Sequence, residues 1–499
     1  MRTSGVLLPI FSLPGKYGIG CLSQEAYEFV RFLKKARQTY WQILPVGPTS
    51  YGDSPYQSFS TFAGNPYFIS LETLIDEGLL KKSECEAADL GDDETDIDYG
   101  KLYDNRYPLL RKAFKRSHIA KDKSFRKFVK EQAWWLDDYS RFMAIKDSYG
   151  GKSYQEWDEP LRLHDKKAIS AFSKEHKKDI VFYMWLQYEF FRQWKRFKKF
   201  ANKNGVSIIG DIPIYVAEDS ADTWAHPELF QMDETMHLKR IAGCPPDGFS
   251  ATGQLWGNPL YDWDYHQKSG FSWWISRVRA CLSMYDVIRI DHFRGFDEYY
   301  SIPAGADTAI DGYWVKGPGL GLFSAIESEL GKLNIIAEDL GFQTETVRQM
   351  VRDSGFPNMK VLEFAFDARD KKDSEDQPND YLPLTYDKNC VVYTGTHDNE
   401  TAMGFLQTIS DAEKKHVIRY LGMTGATDKE LVHGLIRAAM ASTADWCIIP
   451  LQDYLALDNS ARINTPSTLG ENWRWRVRKE QLTKAVRKEM KSLTKTYWR

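Results

Sequence analysis

Four acidic side chains follow apolar runs of the sequence, at the points where strands are expected to end. They are Asp211, Asp291, Glu338 and Asp398. A single acid in such a place is most often a helix cap or an ion-pair partner. Four of them, on four different runs, indicate a catalytic cluster, because barrel enzymes place their reacting groups at the carboxyl ends of the strands.

Paired carboxyl groups of this kind could break a glycosidic bond. A retaining enzyme needs a nucleophile and a proton donor about 5–5.5 Å apart, and Asp291 and Glu338 fit these roles. Arg289, two residues before Asp291 on one strand, faces the same side and would keep that carboxyl ionised. Glu338 must be protonated at neutral pH, which burial and the charge of Asp291 would favour. Asp398 would stabilise a cationic transition state, and His397 would hold a sugar hydroxyl.

Metal, nucleotide and serine-nucleophile chemistries have little support in the sequence. His292, His397 and the nearby acids lack the paired spacing of metal ligands, and His226-Pro227-Glu228 lacks cysteine partners. Gly18-Ile19-Gly20 and Gly317-Pro318-Gly319 both lack the third glycine of a dinucleotide-binding turn. A Gly-x-Ser-x-Gly nucleophile elbow is also missing from the sequence. We therefore expect an enzyme without a metal ion or cofactor.

Eight short β-rich runs would position these groups. Most of them are continuously apolar and are separated by stretches with helical period, as expected of parallel strands covered on both faces. The runs are Val6–Ile10, Tyr40–Val46, Val206–Ile214, Val287–Asp291, Ile335–Glu338, Lys360–Phe364, Cys390–Thr394 and Trp446–Leu451. Eight strands alternating with helices predict an α/β fold of the (β/α)8 TIM-barrel class, with an open doubly wound sheet as the alternative.

The uneven spacing of the strands predicts a single catalytic barrel over residues 1–499 that carries insertions. The insertion between the second and third strands, residues 70–204, is expected to be mainly helical. Within it, Asp122–Tyr149 and Lys177–Asn204 place aromatic and apolar side chains at helical intervals. We interpret the aromatic stripe of the second segment as core packing.

A second insertion, residues 215–275, separates the third and fourth strands. It contains a Gly/Pro-rich stretch from Gly243 to Pro259, which we interpret as a lid loop because long loops after barrel strands shape the active site. The chain ends soon after the eighth strand. Its basic segment Arg474–Arg499 is interpreted as a closing helix with a solvated face rather than as a binding patch.

The overall charge argues against polyanionic partners. A net charge of −3, from 66 basic and 69 acidic residues, gives no bulk attraction to nucleic acid or an anionic membrane, so we expect an uncharged partner. The N-terminus lacks the pattern of a secretory signal, and no apolar run approaches the roughly 20 residues of a membrane span. A cytoplasmic location is expected, with the six scattered cysteines as reduced thiols.

Five motifs, taken in order, make the sequence recognisable. They are Tyr51-Gly52-Asp53-Ser54-Pro55-Tyr56-Gln57, Gly210-Asp211-Ile212-Pro213, Arg289-Ile290-Asp291-His292-Phe293-Arg294-Gly295, Ala337-Glu338-Asp339-Leu340-Gly341 and Thr396-His397-Asp398-Asn399. Over nearly its whole length the chain closely resembles glycoside hydrolase family 77, the 4-α-glucanotransferases known as amylomaltases or disproportionating enzymes. The resemblance implies a barrel with helical insertions, without the C-terminal β-domain of the related α-amylases.

The resemblance also implies a function. It implies a cofactor-free double displacement on α-1,4-glucans and malto-oligosaccharides, with Asp291 as nucleophile, Glu338 as acid/base and Asp398 as transition-state stabiliser. Six further residues would bind substrate: Arg289, His397, Asp211, Ser54 and Tyr56 at the reacting subsite and Trp256 on the acceptor side.

Two alternatives stay open at this point. An α-glucan hydrolase of the amylase type would use the same carboxylates, and transfer additionally requires an acceptor groove that outcompetes water. A catalytically silent glycan-binding protein would show the loss of a carboxylate, and none is lost.

Overall fold

The computed structural model describes residues 2–49, 52–246, 250–341, 343–367 and 378–499. These residues form twelve strands: β1 (Thr3–Leu7), β2 (Tyr40–Gln42), β3 (Ser207–Pro213), β4 (Arg240–Cys244), β5 (Gln254–Pro259), β6 (Val287–Asp291), β7 (Glu298–Pro303), β8 (Tyr313–Lys316), β9 (Ile335–Ala337), β10 (Asn358–Val361), β11 (Cys390–Tyr393) and β12 (Trp446–Pro450). Eight of them close into a barrel in the order β1-β12-β11-β10-β9-β6-β3-β2. The predicted (β/α)8 barrel is confirmed, and the open-sheet alternative is wrong.

Neighbouring barrel strands run parallel, and the barrel closes where the first strand meets the last. Thr3 lies opposite Trp446 in that final pair. All eight predicted strands are present, with shifted ends. The second strand stops at Gln42 rather than Val46, since Pro45 lacks an N–H and restricts the residue before it. The sixth is Asn358–Val361, and residues Leu362–Ala365 turn into a short 3₁₀-helix.

The barrel interior contains an apolar layer with a charged layer above it. Side chains two residues apart on a strand face the same side. Ile209 and Val287 belong to the buried interior cluster, and Asp211 and Arg289 follow them by two residues on β3 and β6. The full interior cluster is Leu7, Ile209, Val287, Ile336, Met359, Val391, Tyr393 and Ile448. The packed apolar layer therefore fixes the charged residues at the carboxyl ends of the strands.

Helices cover the outside of the barrel. The described chain contains α1 (Gln24–Lys35), α2 (Leu71–Asp76), α3 (Lys82–Glu86), α4 (Tyr99–Ser117), α5 (Lys123–Ser148), α6 (Glu159–Arg162), α7 (Lys166–Glu175), α8 (Lys177–Lys203), α9 (Ala221–Ala225), α10 (Trp263–Lys268), α11 (Ser272–Met284), α12 (Leu320–Leu330), α13 (Glu345–Ser354), α14 (Ala402–Thr408), α15 (Asp411–Leu421), α16 (Asp428–Ala441), α17 (Leu451–Tyr454) and α18 (Lys484–Thr496). Seven of these helices, α2 to α8, lie between β2 and β3.

The two long helices predicted in that segment are α5 and α8, which pack against each other. Asp122 caps α5 by accepting N–H bonds from its first turn. The aromatic stripe of α8 is core, since Trp185 and Phe197 are completely buried and Trp194 is buried as well. Large apolar contacts of this kind are what hold the inserted helices to the barrel.

A second, antiparallel sheet has the strand order β5-β4-β7-β8. Its hairpin β4–β5 occupies both ends of the stretch interpreted as a loop from Gly243 to Pro259. Only 245–253 remain between the two strands, and residues 247–249 of the expected lid lie outside the described residues. The strand β5 is hard to predict from the sequence because it contains glycine, proline and asparagine, which are rare in strands. It is a strand because it pairs with β4, and β4 in turn pairs with β7.

Other expectations about the chain can be checked against the same residues. No strand follows β12 within 451–499, a segment described in full. None of the six cysteines is in a disulfide; five are buried and the sixth, Cys244, is partly buried. None of the helices in the described part of the chain is both long and apolar enough to cross a membrane.

Gly210 of β3 offers a test of barrel packing. A Cβ atom at this position would lie 2.2 Å from the ring of Tyr285, which is itself buried. Gly210→Ala should therefore lower the free energy of unfolding by about 1–3 kcal/mol through overpacking, measured as a lower thermal midpoint. Gly321→Ala is the matched control, because a Cβ there meets open space on helix α12. The control should be neutral or stabilising by about 0.4–1 kcal/mol, and an unchanged midpoint in Gly210→Ala would contradict the packing described.

Candidate active site

An open cleft of about 920 Å³ lies at the carboxyl ends of the barrel strands. Eight of the nine predicted site residues line it: Ser54, Tyr56, Trp256, Arg289, Asp291, Glu338, His397 and Asp398. The ninth, Asp211, is completely buried beside them. The structure thus brings together residues that are far apart in the sequence, and the volume lies in the range typical of ligand sites.

Arg289 lies between two carboxylates. Its Nη1 donates to both oxygens of Asp211 at 2.8 and 2.7 Å, and its Nη2 lies 3.0 Å from Oδ1 of Asp291. The register of the barrel places Asp211 opposite Arg289 on adjacent strands. The arginine side chain is only 3% exposed, so its charge depends on these partners. Asp291 is thereby oriented with Oδ2 as the oxygen left for attack.

Asp291 ends strand β6, and its side chain is 29% exposed toward the cleft. Burial raises the pKa of Asp291 to about 6, with Arg289 opposing this rise and the charges of Asp211 and Asp398 adding to it. The carboxyl is therefore ionised at neutral pH, as a nucleophile requires. Its pKa stays well above that of an ordinary aspartate, in keeping with a functional site.

Glu338 follows strand β9 and is 8% exposed. Burial and then the negative charge of Asp291 raise the pKa of Glu338 to about 8, although Arg289 and two backbone N–H groups oppose the shift. Those donors are His292 N–H, 2.6 Å from Oε2, and Leu340 N–H, 2.8 Å from Oε1. His292 has a left-handed backbone with φ of 56°, which turns the chain after Asp291 toward Glu338. The glutamic acid is protonated at neutral pH and can act as a proton donor.

Asp398 lies in the loop after β11, beside His397. Its Oδ2 lies 3.1 Å from His397 Nε2, and its Oδ1 accepts from Asn464 Nδ2 at 2.6 Å. Burial alone would raise the pKa of Asp398, but His397 and Asn464 hold it at about 2. The residue is a permanent anion facing the same cleft. A fixed negative charge of this kind can stabilise a developing cation.

Tyr56 joins the two halves of the charged layer. Its hydroxyl lies 2.9 Å from Oδ2 of Asp211 and 2.9 Å from Nε2 of His397. Burial, reinforced by the charge of Asp211, raises the pKa of Tyr56 well above its ordinary value, so the hydroxyl keeps its proton and donates to Asp211. Its ring stacks on His397 at a centroid distance of 5.2 Å. Tyr56 is therefore part of the polar network as well as the cleft wall.

Ser54, on a loop, and Trp256, on a strand, both line the cleft. Ser54 lines it from the segment after β2, and its Oγ accepts from the backbone N–H of Tyr56 at 3.3 Å. Trp256 projects from β5 and meets the ring of His292 edge to face, with centroids 4.8 Å apart. Burial lowers the pKa of His292 to about 3, so this ring is uncharged. Tyr51, from the same motif as Ser54, lies outside the described residues.

The site also contains residues that the sequence does not single out. Asn464 donates to Asp398, and Arg462 Nη2 donates to the backbone oxygen of Asp398 at 2.8 Å. The ring of Trp473 lines the cleft, and other residues of the segment after β12 line it as well. These residues could have been found from the position of their polar segment after the eighth strand, because the loops after barrel strands build active sites. Within the residues described, no group of three His, Cys, Asp or Glu side chains is arranged to hold a metal ion.

The arrangement separates three carboxyl groups by their protonation. One is ionised, one is protonated, and one is strongly acidic, all facing a single cleft. Two titratable groups whose environments push their pKa values apart are the signature of an acid and base assignment. A nucleophile with a proton donor beside it is the equipment of retaining glycosidic chemistry.

Comparisons with known proteins agree with this chemistry. A family model described as 4-alpha-glucanotransferase matches residues 8–483. A 4-alpha-glucanotransferase of Clostridium butyricum is 47% identical over 98% of this chain and 99% of its own, and one of Streptococcus pneumoniae is 49% identical over 100% and 97%. A solved structure of an amylomaltase from Streptococcus agalactiae, in complex with acarbose, has a TM-score of 0.95 at 40% identity and covers 100% of both chains.

Sequence, fold and site geometry thus lead to one assignment. The family model, the two relatives and the solved amylomaltase structure all cover nearly the whole chain and indicate one enzyme family. The chain belongs to the 4-alpha-glucanotransferase family, glycoside hydrolase family 77.

Proposed function

We propose that this enzyme moves a segment of α-1,4-glucan from a donor to the 4-hydroxyl of an acceptor glucan or glucose, with Asp291 as nucleophile and Glu338 as acid and base. The observation that carries the assignment of roles is the ion pair between Arg289 and Asp291, which favours an ionised carboxylate, next to the buried Glu338, whose pKa is raised by burial and by the charge of Asp291. Malto-oligosaccharides are the proposed substrates, and the uncharged substrate matches the near-neutral chain.

The first half of the reaction forms a covalent intermediate. The Asp291 carboxylate attacks the anomeric carbon of the donor, and Glu338 gives its proton to the glycosidic oxygen as the carbon–oxygen bond breaks. The released part of the donor leaves with that proton as a free 4-hydroxyl. The Asp398 anion lies where it can stabilise positive charge on the sugar ring in the transition state.

The second half reverses these roles. Glu338, now ionised, accepts the proton of the acceptor hydroxyl, which attacks the same anomeric carbon. The ester bond to Asp291 breaks, the carboxylate is regenerated, and the new linkage has the original stereochemistry. Arg289, Asp211 and the Tyr56–His397 pair hold the geometry, since each is already fixed by a hydrogen bond or ion pair before substrate arrives.

The choice of a glucan rather than water depends on how the acceptor is held. Trp256 and the small antiparallel sheet lie along one wall of the cleft, with Thr308 and Gln254 beside them. An aromatic ring held edge-on by His292 offers an apolar surface on which a sugar ring can stack. We propose that this wall binds the acceptor and that its contacts favour a sugar hydroxyl over water.

A cytoplasmic location stays a prediction from the sequence.

Removing the nucleophile tests the first role. Asp291→Asn should lower kcat by at least about 10⁴-fold, since the amide cannot form the ester. The variant keeps the shape of the site, so malto-oligosaccharide affinity measured by calorimetry should change by less than about tenfold. Asp353→Asn is the matched control, because Asp353 is an exposed residue of α13 outside the cleft. Near-normal turnover in Asp291→Asn would refute the assignment.

The protonation states predict a bell-shaped pH profile of kcat/KM. Asp291 must be ionised, so activity should fall as the pH drops below its pKa of about 6. Glu338 must be protonated, so activity should also fall as the pH rises above its pKa of about 8. Because the two groups interact, the limbs report the pair rather than either residue alone. A rate that is flat from about pH 5 to about pH 9 would contradict these protonation states.

Transfer and hydrolysis can be separated by counting reducing ends. A transferase acting on maltotriose should produce glucose together with longer oligosaccharides, while the total number of reducing ends stays constant, because each broken bond is replaced by a new one. A hydrolase creates one reducing end for every bond broken. A time course should be followed by chromatography and a reducing-sugar assay. Reducing ends that rise in parallel with glucose would support hydrolysis over transfer.

A further inference from the structure

A groove of about 660 Å³ lies away from the catalytic cleft, between α1, α8 and α18. Seven basic side chains line it: Arg31, Lys34, Lys35, Arg37, Arg487, Lys488 and Lys491. The remaining lining residues are Phe200 and Asn204. Arg37 and Asn204 come three residues before β2 and β3 begin, so the groove belongs to the amino-terminal end of the barrel. The catalytic carboxylates lie at the opposite end of these strands.

The positive charge of this basic groove is not neutralised by the described part of the protein. No acidic residue lines it, and none of its seven cations forms an ion pair with a described residue. The acids nearest in sequence are engaged elsewhere: Glu28 lies 3.2 Å from Lys479, and Glu489 lies 2.7 Å from His433. Like charges that line the same groove repel each other, and salt screens this repulsion only over about one Debye length, roughly 8–10 Å. A bound anion would relieve that repulsion.

Parts of the groove are held in place without a ligand. Lys34 Nζ donates to Asn204 Oδ1 at 3.1 Å, and Asn204 Nδ2 donates to the backbone oxygen of Phe200 at 2.9 Å. The Arg31 guanidinium lies over the Phe200 ring at 5.1 Å. These contacts fix two cations from two different positions of α1 against the end of α8. The groove therefore has one wall that is held by hydrogen-bond and cation–π contacts, with exposed lysine side chains beside it.

We propose that the basic groove binds a small molecule that carries two or more phosphoryl groups. Its concave shape and volume match a compact ligand rather than a flat membrane or an extended duplex. Seven cations exceed what one monoanion can neutralise, and lysine and arginine are the residues that proteins use for phosphate oxygens. The basic segment near the end of the chain is thus more than a solvated face, because α18 meets the cations of α1.

The test uses the full chain and three probes: inorganic tripolyphosphate, a nucleoside triphosphate and a sugar bisphosphate. The test variant combines Lys35→Gln, Lys488→Gln and Lys491→Gln. The control combines Lys123→Gln, Lys415→Gln and Lys429→Gln, which remove the same charge from exposed helix positions outside the groove. Calorimetry at low ionic strength should show binding by the native chain and the control. Affinity should fall by roughly tenfold or more in the test variant, and added salt should weaken binding.

The relative affinities of the three probes identify the class of ligand. Tighter binding of the nucleotide or the sugar bisphosphate than of tripolyphosphate would identify which organic part the groove accepts. Both triple variants should retain activity on maltotriose, because none of the changed residues lines the cleft. Retained activity would show that the variants are folded. Equal affinity in test and control variants would overturn the proposal. So would groove-dependent binding of RNA or anionic vesicles without binding of any of the three probes.

Discussion

The buried guanidinium of Arg289 is the interaction on which the site depends. A charge that is 3% exposed must be paired, and Asp211 is completely buried as its counterion. One cation shared between Asp211 and Asp291 leaves this group of three with a net negative charge. Arg289 helps to keep Asp291 ionised against this negative charge, and the charge of Asp291 in turn favours the proton on Glu338. Two carboxyl groups thus receive opposite protonation from one arrangement.

The comparison of Asp291 with Asp398 shows that residue type alone does not set the chemistry. Both face the same cleft, yet the pKa is about 6 for one and about 2 for the other. The difference comes from their partners, because Asp398 has His397 and Asn464, whereas Asp291 shares Arg289 with another carboxylate. Asn464 was not recognised in the sequence, and its hydrogen bond is one of the contacts that, after His397, lower the pKa of Asp398.

The barrel strands and the reacting carboxylates could be predicted because they depend on local pattern. Continuous apolar runs identify buried parallel strands, and the two-residue period places Arg289 and Asp291 on one face. The hairpin of β4 and β5 could not be found this way, since β5 contains glycine, asparagine and proline, and its partner β4 is stabilised by a distant neighbour, β7. Asn464 and the basic groove depend on segments that meet only after folding. The groove joins α1 with α18, from opposite ends of the chain.

The pairing of β1 with β12 has a consequence for synthesis. Thr3 and Trp446 are neighbours in the barrel, so β1 is synthesised long before its partner strand β12. Until then β1 can pair on only one side, with β2, and its other edge stays open to wrong partners. Contacts of such long range slow folding and prolong exposure of unpaired edges. The barrel therefore cannot close before β12 has been translated, and the time needed for translation sets a lower limit on the time needed for its closure.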